Sequence, residues 1–288
     1  GTTYTQSGIY SYSSSASSNN NYSLDFYNSN IELPNNILQN LNGFTFSAYF
    51  FADPVQTGFS NIVQQDPGGN GSFYIRYENG LSDFMYSFHC GNTSSGLNIA
   101  SSTHNFPVPS INTWNHVALT YDGDTAKAYL NGVLLGSSYV QGPLSVYNSV
   151  PFYIGNWQMN EDFNGNIDNV QIWDNALPLQ DIQQYMNCPP LGSESTLVGY
   201  WNFEEGSGTT AFDQTINGND GVINGATYDT NVPSQSCNLT NTNGCDSTAI
   251  LNLTINQSDT SYTNITACDS IVWNGTTYTQ SGTYSYGS

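Results

Sequence analysis

Three acidic pairs lie close enough in sequence to act together: Glu204–Glu205, Glu161–Asp162, and Asp122 with Asp124. Glycoside hydrolysis needs two carboxylates on one face, about 5–9 Å apart. On a strand only alternate residues share a face, so both adjacent pairs would point to opposite sides. Asp122 and Asp124 do alternate, but Gly123 between them reads as a turn. No GxSxG, HExxH or phosphate-loop pattern occurs. The expectation is that the protein is not an enzyme. Sugar stacking is a second possible chemistry. Trp157 in the stretch NWQMNEDFN (156–164) has turn and acidic neighbours rather than a strand pattern. Its ring could lie against a sugar, with Asn156, Glu161 and Asp162 taking hydroxyls.

Five cysteines are present, and none forms CxxC or a His/Cys cluster with zinc spacing. Cys188 and Cys237 bracket residues 189–236 and are expected to form an intrachain disulfide. Cys245 (GCDS) and Cys268 (ACDS) sit in similar contexts. They pair either with each other or each with its counterpart in a neighbouring repeat, the second being preferred. Cys90 is then a lone thiol, most simply a small core residue.

The charge is lopsided, with 22 acidic and 2 basic residues and a net charge of −20. The only cations are Arg76 and Lys127. Phosphate backbones need clustered Lys and Arg, so nucleic acid is excluded as a partner. Anionic membrane surfaces are disfavoured for the same reason. No apolar run of about 18 residues is present, so no transmembrane helix is expected. No signal peptide opens the chain, which says nothing about secretion if the chain is an internal fragment.

The elements that must hold these residues read as short alternating strands. Examples are YSLDF (22–26), FTFSAYFF (44–51), SFYIRYE (72–78), FMYSFHC (84–90), HVALTYDG (116–123), PFYIG (151–155) and NVQIWD (169–174). AKAYLNGVLLG (126–136) contains Asn131–Gly132, a hairpin-turn pair. One helix is expected near 178–187, with Pro178 in its first turn and Ile182, Tyr185 and Met186 as an apolar stripe. LVGYWNFE (197–204) and GVINGATY (221–228) return to strand. Trp173 and Trp201 are expected in the core, and His116 as a structural strand residue.

Residues 1–12 read GTTYTQSGIYSY and residues 275–286 read GTTYTQSGTYSY, differing only at Ile9 and Thr283. The offset of about 274 residues marks a long-period repeat. The expected organisation is a front part of a small β module (1–14), a large sandwich (15–236), the back part of that module (237–258), and the start of the next (259–288). A module shared or exchanged between neighbouring units follows naturally from that order.

Three phrases carry a resemblance: NTWNHVALTYDGDTAKAYLNGVLLGSS (112–138), FNGNIDNVQIWDNALPLQDI (163–182) and LVGYWNFEEGSGTTAFDQTINGNDGVINGATY (197–228). Together they resemble the laminin-G-like, concanavalin-A-like jelly-roll domains of secreted bacterial proteins, over roughly 22–232. The flanks ACDSIVWNGTTYTQSGTYSY and NTNGCDSTAILNLTI resemble small repeated modules of giant Bacteroidetes-type surface proteins. The resemblance implies an all-β fold: a jelly-roll β-sandwich with one short helix, plus a small Ig-like β module. It implies an extracellular, secreted protein. It also implies a structural calcium ion, for which Asp25, Asp168, Asp213, Asn217 and Asn219 are the candidate oxygen donors. The family's first strand usually reads FDG followed by an acidic pair, whereas this chain has FYNSN, so some donors are missing. In the resembling group, Asp-Ser/Thr followed by a small or apolar residue is an O-glycosylation pattern, which Ser247, Ser270 and Thr125 fit. The functional expectation is a structural repeat unit of a secreted surface or filament-forming, adhesin-like protein, partnered by neighbouring copies. The alternative is a lectin-like module that binds polysaccharide, and a glycan hydrolase ranks last.

Overall fold

The computed structural model describes residues 8–12, 20–39, 41–56, 58–65, 73–89, 96–140, 151–155, 161–235, 237, 249–253 and 263–285. The chain divides into two compact units, Ser13–Ser247 and a smaller one built from Gly1–Tyr12 with Thr248–Ser288.

The strands run β1 (Gly8–Tyr12), β2 (Ser23–Phe26), β3 (Asn30–Leu33), β4 (Phe44–Ala52), β5 (Phe59–Gln65), β6 (Phe73–Glu78) and β7 (Asp83–His89). After β8 (Gly96–Ala100) comes a single helical turn, α1 (Ser101–His104). Then follow β9 (Trp114–Tyr121), β10 (Thr125–Leu130), β11 (Val133–Tyr139), β12 (Phe152–Gly155) and β13 (Gly165–Trp173). The helix α2 (Leu179–Asn187) precedes β14 (Leu197–Trp201), β15 (Thr210–Ala211), β16 (Gly221–Asn224) and β17 (Thr227–Asp229). The last strands are β18 (Ala249–Leu253), β19 (Ile271–Trp273) and β20 (Thr276–Tyr278).

The larger unit is a sandwich of two antiparallel sheets. The first has the order β11-β10-β9-β4-β13-β2-β17, with β14 also on β13. The second has the order β15-β16-β3-β12-β5-β6-β7-β8. Jumps such as β4 beside β9 and β12 beside β5 are the crossovers of a jelly roll. Alternation explains the core. Phe44, Phe46, Ala48 and Phe50 of β4 and Phe73, Ile75 and Tyr77 of β6 all point inward and are buried. Phe73 stands edge-on to Phe44, their centroids 5.8 Å apart across the interface. Trp201 is fully buried in the same core.

Asn131 (φ 49°) and Gly132 (φ 71°) close the β10–β11 hairpin with the positive φ values such a turn requires. The sequence suggested one helix, and α1 is a second. One turn has little intrinsic stability. A tertiary contact holds it: the Asp83 carboxylate accepts from the Ser102 amide (3.0 Å) and from both the Ser101 and Ser102 hydroxyls.

In the smaller unit β1 pairs antiparallel with β18, Gly8 opposite Leu253 and Tyr12 opposite Ala249. A hairpin joins β19 to β20.

Candidate functional site

The outer faces of the two sheets differ. On the first, β9, β10, β13 and β14 present Ala118, Tyr129, Trp173, Leu197 and Tyr200. With Leu177, and with Ile182 from α2, these make a second apolar cluster. Tyr185 lies 4.6 Å from Trp173, centroid to centroid. The Tyr49 hydroxyl donates to the Met186 carbonyl (2.7 Å), and so does the Gln235 amide (3.1 Å). The Cys188–Cys237 disulfide ties the end of α2 to the segment that carries Gln235. This face is closed by the protein's own chain.

The outer face of the second sheet has no such cover among the described residues. One row of paired positions crosses it: Val222, Glu32, Tyr153, Gln64, Tyr74, Ser87 and Asn98. Beside it run Asn61, Arg76 and Met85, then Phe59, Glu78 and Asp83. β6 shows how the sequence builds this. Phe73, Ile75 and Tyr77 face the core, so Tyr74, Arg76 and Glu78 face outward and are half-buried. On β5 a register shift between Asn61 and Val63 lets both Asn61 and Gln64 face outward although they are three residues apart.

Arg76 is wedged between rings, its Cζ 3.9 Å from the Tyr74 centroid and 4.2 Å from that of Phe59. Its guanidinium pairs with Glu78 at 2.6 Å, so its charge is neutralised in place. The Asn61 amide nitrogen donates to Glu161 Oε2 (2.8 Å). The opposite atom, Asn61 Oδ1, and Gln64 Oε1 are buried acceptors with no donor. Both side chains are buried, so these acceptors lie beneath the surface of the patch rather than on it. Tyr153 carries a raised phenol pKa, first through burial and then through the Glu32 charge nearby.

Of the stacking set expected from sequence, Trp157 and Asn156 lie outside the described residues. Glu161 does sit beside this face, through Asn61, and Asp162 is buried. The expected calcium donors do not converge. Asp168 is buried on β13, where Asn20 Nδ2 (2.8 Å) and the Asn169 amide (2.7 Å) donate to it. Burial pushes its pKa well above the usual carboxylate range. Asp213 accepts the amides of Tyr200 (3.0 Å), Thr215 (2.9 Å) and Asn219 (2.9 Å), which is a loop staple. Asn217 and Asn219 donate their side-chain amides to Leu197 and Val198 carbonyls. Asp25 stands apart on β2, opposite Asn166 and Thr227. No three His, Cys, Asp or Glu side chains among the described residues are grouped as a metal would need. As arranged, the five do not fit one calcium site, because the carboxylates are separate and two already serve backbone or amide donors.

The paired carboxylates are committed as well. Glu204 accepts from the Asn21 and Tyr22 amides (2.8 and 3.0 Å), and Glu205 accepts from Phe212 N (3.0 Å) and the Tyr228 hydroxyl (3.4 Å). Asp122 Oδ1 caps its own turn through the amides of Asp124 and Thr125. A groove of about 330 Å³, lined by Asn36, Leu41, Asp174, Leu197, Asn217 and Asn219, lies elsewhere and offers no aromatic ring. Of the glycosylation candidates, Ser270 is exposed, Thr125 is half-buried at the start of β10, and Ser247 lies outside the described residues. Cys268 is exposed and unbonded, whereas Cys245 and Cys90 lie outside the described residues.

The family model described as the concanavalin A-like lectin/glucanases superfamily matches residues 25–183. The chain belongs to this superfamily. Among solved structures, this concanavalin A-like sandwich is similar to a candidate carbohydrate-binding protein from Bacteroides ovatus. The TM-score is 0.58 at 22% identity, over 76% of this chain and 62% of that one, so the match spans about three fifths of that protein. It is also similar to a heptameric SAP-like pentraxin from Limulus polyphemus (TM-score 0.49, 15% identity, 76% of this chain and 98% of that one). Domain 4 of the extracellular arabinanase AbnA from Geobacillus stearothermophilus, in complex with arabinotriose, matches less (TM-score 0.37, 21% identity, 51% and 68%). No curated protein matches the chain. The outer face of the second sheet was not read from the sequence as a site. The alternation in SFYIRYE could have pointed to Tyr74 and Arg76, but nothing local signals Gln64, whose facing depends on the β5 register shift.

Proposed function

We propose that the sandwich is a glycan-binding module of an extracellular protein, with the outer face of its second sheet as the platform. The observation that carries this reading is the set of partly exposed rings Tyr74, Tyr153 and Phe59 on the outer face of the second sheet, a face that α2 does not cover. A sugar offers an apolar ring face to the aromatics and hydroxyls to the exposed Glu32 and Asn98 of the same row. The Bacteroides ovatus relative, which shares the fold, is itself described as carbohydrate-binding. The lectin-like reading is therefore better supported than that of a purely structural repeat unit, and the two roles are compatible in one surface protein. The disulfide and the absence, among the described residues, of any helix long and apolar enough to cross a membrane agree with an extracellular setting. The reading requires no catalytic step and no metal.

The test is affinity electrophoresis of the intact chain through gels containing different polysaccharides. Retardation by at least one polysaccharide, lost in Tyr74→Ala with the fold intact by circular dichroism, is the expected result. Retardation unchanged in Tyr74→Ala and Gln64→Ala would place binding elsewhere. No retardation on a broad glycan panel would return the sandwich to a structural role.

A further inference from the structure

We propose that residues 281–285 are a strand that seats on β18 of a second copy of this chain, in the place β1 occupies within its own. The argument begins with the repeat. Residues 8–12 read GIYSY and residues 282–286 read GTYSY. The first of these forms β1 and pairs with β18 in a defined register. The second has nearly the same sequence, but residues 281–285 belong to no strand and are exposed. Just upstream, Thr276–Tyr278 is held in the hairpin with Ile271–Trp273.

Laid on the register of β1, Gly282 falls opposite Leu253, Thr283 opposite Asn252, Tyr284 opposite Leu251 and Ser285 opposite Ile250. Gly8, Tyr10 and Tyr12 stand opposite Leu253, Leu251 and Ala249 in the register, and the repeat keeps all three of those residue types. The single change, Ile9 to Thr283, falls opposite Asn252 in the register, and both residues are β-branched and suit a strand. Charge favours the same meeting point. The chain carries −20 overall, yet neither 275–286 nor 249–253 contains a charged residue. Two copies can therefore meet here without the repulsion that operates elsewhere between them. Exchange of β1 for a strand of nearly the same sequence is a form of β-strand addition, its affinity coming from main-chain hydrogen bonds.

Within one chain β1 has the advantage of proximity, so the exchange is best read when β1 is weakened. In a paired strand alternate amides point to the partner, so two consecutive prolines remove at least one needed donor. The full chain carrying Tyr10→Pro and Ser11→Pro should associate. Light scattering should show an average mass at least twofold that of the monomer, rising with protein concentration. Adding Tyr284→Pro and Ser285→Pro to the same chain should return it to monomer. In parallel, a fluorescent peptide with the sequence of residues 275–286 should bind the Tyr10→Pro/Ser11→Pro chain saturably by anisotropy, and the peptide bearing the same two prolines should not. A chain that stays monomeric and ignores the peptide overturns the proposal, as does association that persists in the four-proline variant.

Discussion

At the residue scale, Tyr74 illustrates how an outward-facing ring differs from a core one. Removing a core ring costs fold stability, whereas Tyr74 is half-exposed and its loss should fall on binding. Tyr74→Ala is expected to weaken glycan affinity about two- to tenfold, since ring contacts of this kind contribute about 0.5–1.5 kcal/mol. Its melting temperature should move by only a few degrees, which calorimetry would check. His116 makes the opposite case. It is buried against the Tyr49 ring, its Nδ1 has no partner, and burial pushes its pKa from 6.5 down to about 3. The unfolded chain binds more protons between those values, so this residue lowers stability as pH falls from about 6.5 toward 3, by up to about 1.4 kcal/mol per pH unit. Asp168 works in the other direction, because burial raises its pKa and the fold retains its proton more readily than the unfolded chain does. Wild type should therefore be compared with His116→Gln. The variant should lose less melting temperature between pH 6.5 and 4, and parallel curves would remove His116 from the acid response.

At the element scale, the helix α2, residues 231–235 and Cys237 are fastened over the first sheet by a few contacts and one disulfide. That disulfide closes a separation of 49 residues, for which chain-entropy arguments give about 4 kcal/mol. Cys188→Ser with Cys237→Ser should lower the denaturant midpoint accordingly, and thiol reductant should do the same to wild type but not to the double variant. The strand edges are equally exacting. Gly165 opens β13 at φ 132°, and an added Cβ would meet the Phe51 carbonyl oxygen of β4. Gly165→Ala should destabilise the sandwich by about 3 kcal/mol or more, because neither backbone can yield. Urea unfolding followed by tryptophan fluorescence would measure it.

At the scale of the whole molecule, 22 carboxylates face only two cations, and one of these, Arg76, is already paired with Glu78. Self-repulsion is the dominant long-range field, and added salt screens it over about 10 Å at 0.1 M. The melting temperature should rise by several degrees between 20 and 500 mM sodium chloride near neutral pH. A flat or falling response would mean that local pairs outweigh the net charge. The same field explains why contact between copies should concentrate where charge is absent.

Much of the sandwich was legible because burial imposes a period. In β4, β6 and β9 the inward positions are apolar, since each strand has one face in the core, and the strand bounds follow to within a few residues. Asn131–Gly132, the Cys188–Cys237 pair and the burial of Trp173 and Trp201 were legible for similarly local reasons: backbone freedom, bracketing and bulk. The pairing partners were not. That β12 lies against β5, so that Tyr153, Gln64 and Tyr74 form one row, is a fact of crossover topology with no trace in any single segment. A register shift at Ile62 turns Gln64 outward, and α2 covers one sheet and not the other. Acidic residues that looked alike in sequence were sorted by the same packing, Asp168 into a buried amide pair and Asp213 into a loop staple. Sequence alone determines the alternation because each strand must satisfy its own two faces. Only tertiary structure decides which faces remain for a ligand, because that depends on what other parts of the chain come to rest upon them.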